Sequence, residues 1–112
     1  MTTAIARILD DVRLRGALQT RDIANILDVS VRTVAGWSNG RATPQLRTQT
    51  VIADLRYTVE RLSDFYAPDE IRVWLHARHP LLNGERPIDL LADKRTEQVL
   101  AVVEQLEAGA YL

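Results

Sequence analysis

Cysteine is absent from the chain of 112 residues, which excludes disulfide scaffolds, thiolate zinc fingers and a cysteine nucleophile together. Breaks are few, with five Gly and four Pro. No long apolar run occurs: the opening MTTAIARILDDVR spaces charges through its apolar residues, unlike a signal peptide or a membrane span. The chain is expected in the cytoplasm, with no membrane partner. Net charge is nearly lacking as well, at −1, which is weak for a nucleic-acid binder.

What is present is globular. Hydrophobic residues at 46% and charged residues at 26% argue against wholesale disorder. The length suits one ordinary domain or two small helical ones. The small net charge hides an asymmetry: residues 1–66 hold nine Arg against seven Asp or Glu, and residues 67–112 hold five Lys or Arg against eight. The front is thus slightly positive and the back acidic. A single copy offers few phosphate contacts, so if DNA is the target a dimer or larger assembly is expected.

The stretch Thr20 to Pro44 reads as two short helices joined by a tight turn. Thr20 is a candidate cap for the first, with Ile23, Ala24, Ile26 and Leu27 on its apolar face. Ala24 supplies the short side chain needed where two helices cross steeply. Asp28 and Val29 carry the turn, and Ser30 caps a second helix that buries Val34 and Trp37. Gly40 suits the left-handed residue beyond its end, and Pro44 prevents its continuation. In a DNA-reading helix-turn-helix, Val31, Arg32 and Thr33 would meet base edges in the major groove, with Thr20, Gly36, Asn39 and Arg41 completing the interface and the last two at phosphates. An ordinary helical hairpin without DNA function has the same outline.

Elsewhere the spacing is also helical. Ile5, Ile8, Leu9 and Val12 form one stripe, capped by Thr2 or Thr3 and ending near Gly16, with Leu18 as a staple before the next helix. A long helix is expected over Gln45–Tyr66. On it Ile52, Leu55, Val59, Leu62 and Tyr66 are spaced three and four apart, either a core face or a short dimer seam. Ala67 and Pro68 mark a boundary, followed by a short helix to about Ala77 that buries Ile71, Trp74 and Leu75 and leaves Arg72 and Arg78 outward. Pro80 and Pro87 bracket a turn at Asn83-Gly84, and Ile88, Leu90 and Leu91 open another short helix. A last helix, Arg95 to Glu107, carries Val99, Val102, Val103 and Leu106 and stops at Gly109. No alternating strand pattern occurs, so the fold class is all-α.

Catalytic chemistry has no evident seat. His76 and His79 could share a metal, but no third ligand is suitably spaced and a solvated pair is the simpler reading. The acidic pairs Asp10-Asp11 and Glu104/Glu107 read as outward helix faces, and Gly36 and Gly40 do not form a phosphate loop. No catalytic residue, metal or cofactor is expected.

The helix-turn-helix front, followed by Trp74-Leu75, Pro80-Leu81-Leu82, Asn83-Gly84, Pro87-Ile88-Asp89-Leu90-Leu91, Val99, Leu106 and Gly109, resembles antitoxins of the Xre, MbcA and ParS type. The back half resembles their toxin-binding domain, with Leu82, Gly84 and Pro87 in its Leu-x-Gly-x-x-Pro segment. One departure is that Ala92, Asp93, Lys94 and Arg95 stand where many such antitoxins have a glycine-containing turn. The resemblance implies residues 1–66 as a helix-turn-helix domain and residues 67–112 as a toxin-binding domain. It implies as partner a RES-domain toxin that consumes NAD or transfers ADP-ribose from it, with the antitoxin covering the toxin's NAD pocket and binding its own operator DNA. Gly109, Ala110, Tyr111 and Leu112 would then enter that pocket, supported by Trp74 and Leu82 as packing, with Arg72 also among the toxin-binding residues. Trp74 could equally be plain core, and the tail an ordinary terminus. The competing functional reading is a free-standing regulator of the phage-repressor kind.

Overall fold

The computed structural model describes residues 3–109 and contains seven α-helices. The first, α1 (Ala4–Gly16), starts where the Thr3 hydroxyl accepts the Ala6 N–H at 3.0 Å. It buries Ala6, Leu9 and Val12. At Gly16 a Cβ would stand 3.3 Å from Val59 Cγ2, so the absence of a side chain lets α1 approach the fourth helix closely.

Helices α2 (Thr20–Leu27) and α3 (Val31–Ser38) form the expected helix-turn-helix. Ala24 is buried, and Val34 and Trp37 face the core. The cap of α2 differs from the expectation. Gln19, not Thr20, is the cap residue, and its N–H is held by the Asp22 carboxylate at 2.7 Å. Thr20 instead accepts a hydrogen bond from Arg13 Nε at 3.2 Å, while Arg13 Nη2 reaches Ser38 Oγ at 2.7 Å. One arginine of α1 thereby buckles both helices of the motif.

The long helix α4 (Leu46–Leu62) is shorter than its sequence pattern. Past Leu62 the chain turns, with Phe65 N–H and Tyr66 N–H both on the Leu62 carbonyl at 3.0 Å. The proposed seam has a different use from a dimer contact: Ile52, Leu55, Val59 and Leu62 are buried within the single chain, and Tyr66 is half-buried beyond the helix end. A helix lying across the middle of a bundle needs the same three-and-four spacing as a coiled-coil seam.

Helix α5 (Pro68–His76) is followed by a single 3-10 turn at Pro80–Leu82 and then by α6 (Pro87–Ala92) and α7 (Thr96–Glu107). Between α5 and α6 an isolated bridge joins His79 to Glu85, and among the described residues no strand forms. The start of α7 is fixed by two contacts. The Thr96 hydroxyl donates to Asp54 of α4 at 2.9 Å, and Arg95 makes two hydrogen bonds to Glu85, at 3.1 and 2.9 Å.

Several helix stops in this chain place side-chain-bearing residues in the left-handed region. Ala17, Asp28, Asn83 and Lys94 have φ of 51°, 54°, 57° and 61°. Lys94 lies in the turn between α6 and α7, and its backbone adopts the left-handed conformation that glycine favours.

The halves share one core. Leu9, Val12 and Ile23 from the front belong to the same buried cluster as Ile71, Leu75, Leu90, Leu91, Val99 and Val103 from the back. Helix α5 rests on α1, α6 on α2, and α7 on α4.

Candidate functional site

Two surfaces stand out. The first is the exposed side of α3. Ser30 caps this helix by accepting the Thr33 N–H at 3.0 Å, and the two hydroxyls lie 2.9 Å apart. With Val34 and Trp37 turned inward, Val31, Arg32 and Thr33 are left exposed on the first turn. Gly36 has open space where a Cβ would project, and its carbonyl receives the Arg41 N–H at 2.9 Å. Asn39 Oδ1 accepts the same N–H at 3.2 Å, so the Asn39 carbonyl oxygen serves the loop itself. Among the described residues Arg32, Arg41 and Arg47 have no ion-pair partner. Arg32 stands on the first turn of α3, Arg41 beyond its far end and Arg47 in the first turn of α4, and unneutralised guanidinium groups of this kind suit phosphates. Thr20, bonded by Arg13 and half-buried, stands apart from that group.

The second surface is an apolar hollow in the back half. Tyr66, Trp74, His79, Pro80, Leu81, Val102, Gln105 and Leu106 line a groove of about 530 Å³. A second hollow of about 440 Å³ shares Tyr66, Trp74 and His79 with it and adds Asp69, Glu70, Val73 and Ala77. Trp74, 9% exposed, forms part of the wall common to both. The His79 ring lies 4.8 Å from the indole, tilted by 43°, and its Nε2–H donates to the Trp74 carbonyl at 2.8 Å. Val73 and Leu81 are 67% and 52% exposed. Large side chains left in water beside a groove lose their hydration cost when a partner covers them.

Leu82 is a core residue that supports the 3-10 turn from within, while its neighbour Leu81 meets solvent. The sequence reading needs correction here in two places. Arg72 does not point freely outward. It donates two hydrogen bonds to the Asp22 carboxylate, one from Nη2 at 3.1 Å, and a third to the Ala17 carbonyl at 3.1 Å. The two histidines are not a solvated pair: His79 packs on Trp74, and His76 Nδ1–H donates to the Arg72 carbonyl at 2.8 Å with Nε2 at 3.7 Å from Asp22. Among the described residues no group of three metal-ligating side chains occurs. Gly109 takes φ +74° beyond the end of α7, whereas Ala110, Tyr111 and Leu112 lie outside the described residues.

The sequence reading missed the apolar hollow because Val73 lies off the Ile71/Trp74/Leu75 stripe and Leu81 is adjacent to a leucine that packs inward. An apolar residue off the buried stripe was the available signal. The Asp22–Arg72 pair is 50 residues apart in sequence, and no local pattern announces it.

Asp22 gives this junction a pH dependence. Burial pushes its carboxyl up, but the Arg72 hydrogen bonds, the Gln19 N–H and the charges of Arg72 and His76 outweigh burial and hold it below its ordinary value of 3.8. A carboxyl lowered in the fold stabilises it above the unfolded value, and that contribution disappears as pH falls through the lower folded one. Stability to urea will therefore fall below about pH 4. In Asp22→Asn the same acid limb will be shallower, read from unfolding midpoints between about pH 2 and 5.

No described helix is long and apolar enough to cross a membrane. Residues 65–109 match the family model described as the antitoxin Xre/MbcA/ParS C-terminal toxin-binding domain. A probable mycobacterial cidal antitoxin of Mycobacterium tuberculosis is 39% identical over 107 residues, covering 96% of this chain and 90% of the relative. The mycobacterial cidal antitoxin MbcA of Mycobacterium bovis is 29% identical over 98 residues, covering 88% and 87%. In three dimensions the chain is similar to one in the crystal structure of the M. tuberculosis MbcT–MbcA toxin–antitoxin complex, with a TM-score of 0.86, 26% identity and coverage of 98% of this chain and 99% of that one. With a relative at this identity along nearly its whole length, a matching toxin-binding domain and the same helical fold, the chain belongs to the Xre/MbcA/ParS antitoxin family.

Proposed function

We propose that the chain binds and silences a cognate RES-domain toxin that consumes NAD or uses it for ADP-ribosylation, and that it represses its own operon through α3. It acts by binding and not as an enzyme, in the cytoplasm, and needs no cofactor. Residues 67–112 engage the toxin, with Gly109, Ala110, Tyr111 and Leu112 as the segment that covers its NAD pocket. Residues 1–66 engage operator DNA. The observation that carries the toxin-binding reading is the exposed apolar hollow around Trp74, which lies within the segment matched to a toxin-binding domain and includes the last turns of α7.

Trp74 and Leu82 contribute as packing that shapes this surface, and Arg72 by fastening α5 to α2. On the DNA side, Val31, Arg32 and Thr33 are the base-reading group, with Gly36, Asn39 and Arg41 beside the phosphates. Three free arginines supply little affinity for one copy, so operator binding uses two or more copies within a toxin–antitoxin assembly. Their contact lies outside the buried row Ile52, Leu55, Val59 and Leu62. The unpaired arginines also favour a second reading, a free-standing regulator that acts without a toxin.

The test is to express the chain with the RES-domain protein encoded beside it, purify the complex and measure NAD consumption before and after separating the two. Activity that appears on separation and vanishes on re-addition supports the antitoxin reading; a neighbour indifferent to the chain rejects it. In the same assembly Arg32→Ala will weaken operator binding by about 1–3 kcal/mol and leave NAD consumption silenced.

A further inference from the structure

We infer that the paired hollow around Trp74 is the anchoring site for one segment of the toxin, an apolar side chain flanked by Lys or Arg, and that this anchor, separate from the C-terminal tail, supplies most of the affinity. The inference rests on the toxin-binding reading above.

The hollow is already formed in the chain by itself. Trp74 shares the buried stripe of α5 with Ile71 and Leu75, all three in the core cluster, and His79 is tied to the Trp74 carbonyl. Two sequence-separate elements, α5 and the Pro80–Leu82 turn, thus present Val73 and Leu81 without having to order themselves on binding. A preformed apolar site of this kind loses little entropy when filled.

The charge around it selects the occupant. Among the residues lining the two hollows, the carboxylates are Asp69 and Glu70, and no Lys or Arg is present. Glu70 is engaged by the Ala67 N–H at 2.9 Å, whereas Asp69 is exposed in the first turn of α5. Nearby cations are directed elsewhere: Arg72 to Asp22, Arg78 to the Gly84 carbonyl at 3.0 Å, and Arg61 to Glu107. An apolar floor with an acidic rim is complementary to an apolar knob with basic neighbours. A second copy of this chain would set one acidic rim against another, which charge repulsion disfavours.

The experiment uses the full chain and the neighbouring RES-domain toxin, with affinity measured by titration at several salt concentrations. Leu81→Asp and Val73→Asp change exposed positions, and unchanged thermal unfolding will verify their fold. Each is expected to weaken toxin binding by about thirtyfold, in the range of interface hot spots. Asp69→Asn is expected to weaken it by about threefold and to flatten its salt dependence. Wild-type affinity in both Leu81→Asp and Val73→Asp overturns the inference while leaving the antitoxin reading intact. Loss of self-association in Leu81→Asp with toxin affinity unchanged assigns the hollow to a second copy and likewise overturns it. A wild-type chain that binds no toxin removes both readings together.

Discussion

A chain ending at Gly109 will fail to silence its toxin, with inhibition of NAD consumption weakened by at least about a hundredfold, while its helicity and melting temperature stay those of the full chain. The expectation of unchanged folding comes from how α7 is held. Val99, Val102 and Val103 are buried, Thr96 is bonded to Asp54, and Arg61 makes a two-oxygen ion pair with Glu107, including Nε to Oε2 at 2.7 Å. None of these contacts involves residues 110–112. The expectation of lost inhibition comes from chemistry: the aromatic ring of Tyr111 and the apolar Leu112 suit the proposed NAD pocket, whose base and ribose faces accept flat and apolar groups. If the hollow around Trp74 anchors the partner, the shortened chain will still bind the toxin and merely leave it active. Silencing as complete as that by the full chain would reject the tail's role.

Leu55→Ala will lower the free energy of unfolding by about 2–5 kcal/mol, a large share of the roughly 5–15 kcal/mol typical of a domain. Leu55 is 1% exposed at the middle of α4. Its neighbours along the row, Ile52, Val59 and Leu62, are equally enclosed, so the site has no solvent side through which to collapse. The informative readout is concentration. For a core residue, wild type and variant will have unfolding midpoints separated by the same amount at every chain concentration. A separation that grows with concentration would instead identify a contact between copies.

The helix-turn-helix was legible in the sequence because each of its signals is local. Ser30 caps, Ala24 is small and buried, Val34 and Trp37 repeat at helical spacing, and Gly40 stops the helix with φ +79°. Local signals were also enough for α5 and α7. Where two elements compete for one residue, the sequence was less clear. Thr20 has the side chain of a cap, yet Asp22 three residues after Gln19 holds the N–H at the true start of α2, and Arg13 claims the threonine hydroxyl. A heptad row does not say whether its partner is another helix of the same chain or a second copy; for Leu55 and Val59 only the packing of α1 and α7 onto α4 decides it.

The surface features were the least legible. An exposed apolar residue is common and carries no signal singly. Val73, Leu81 and Tyr66 acquire meaning because the turn after α4 and the 3-10 turn after α5 bring them around Trp74. The resemblance to known antitoxins directed attention to the back half, but to Leu82, which lies one residue from the side chain that faces solvent.

The core that runs unbroken from Leu9 to Val103 also affects how genetics on this protein should be interpreted. Because α5 lies on α1 and Arg72 grips Asp22 of the helix-turn-helix, damage to the front travels into the back. A screen for cells poisoned by their own toxin will collect substitutions at Leu9, Ile23 and Val34 alongside those at the partner's docking face. Such alleles map to the helix-turn-helix segment of the gene, yet their defect is in the fold that presents the back half.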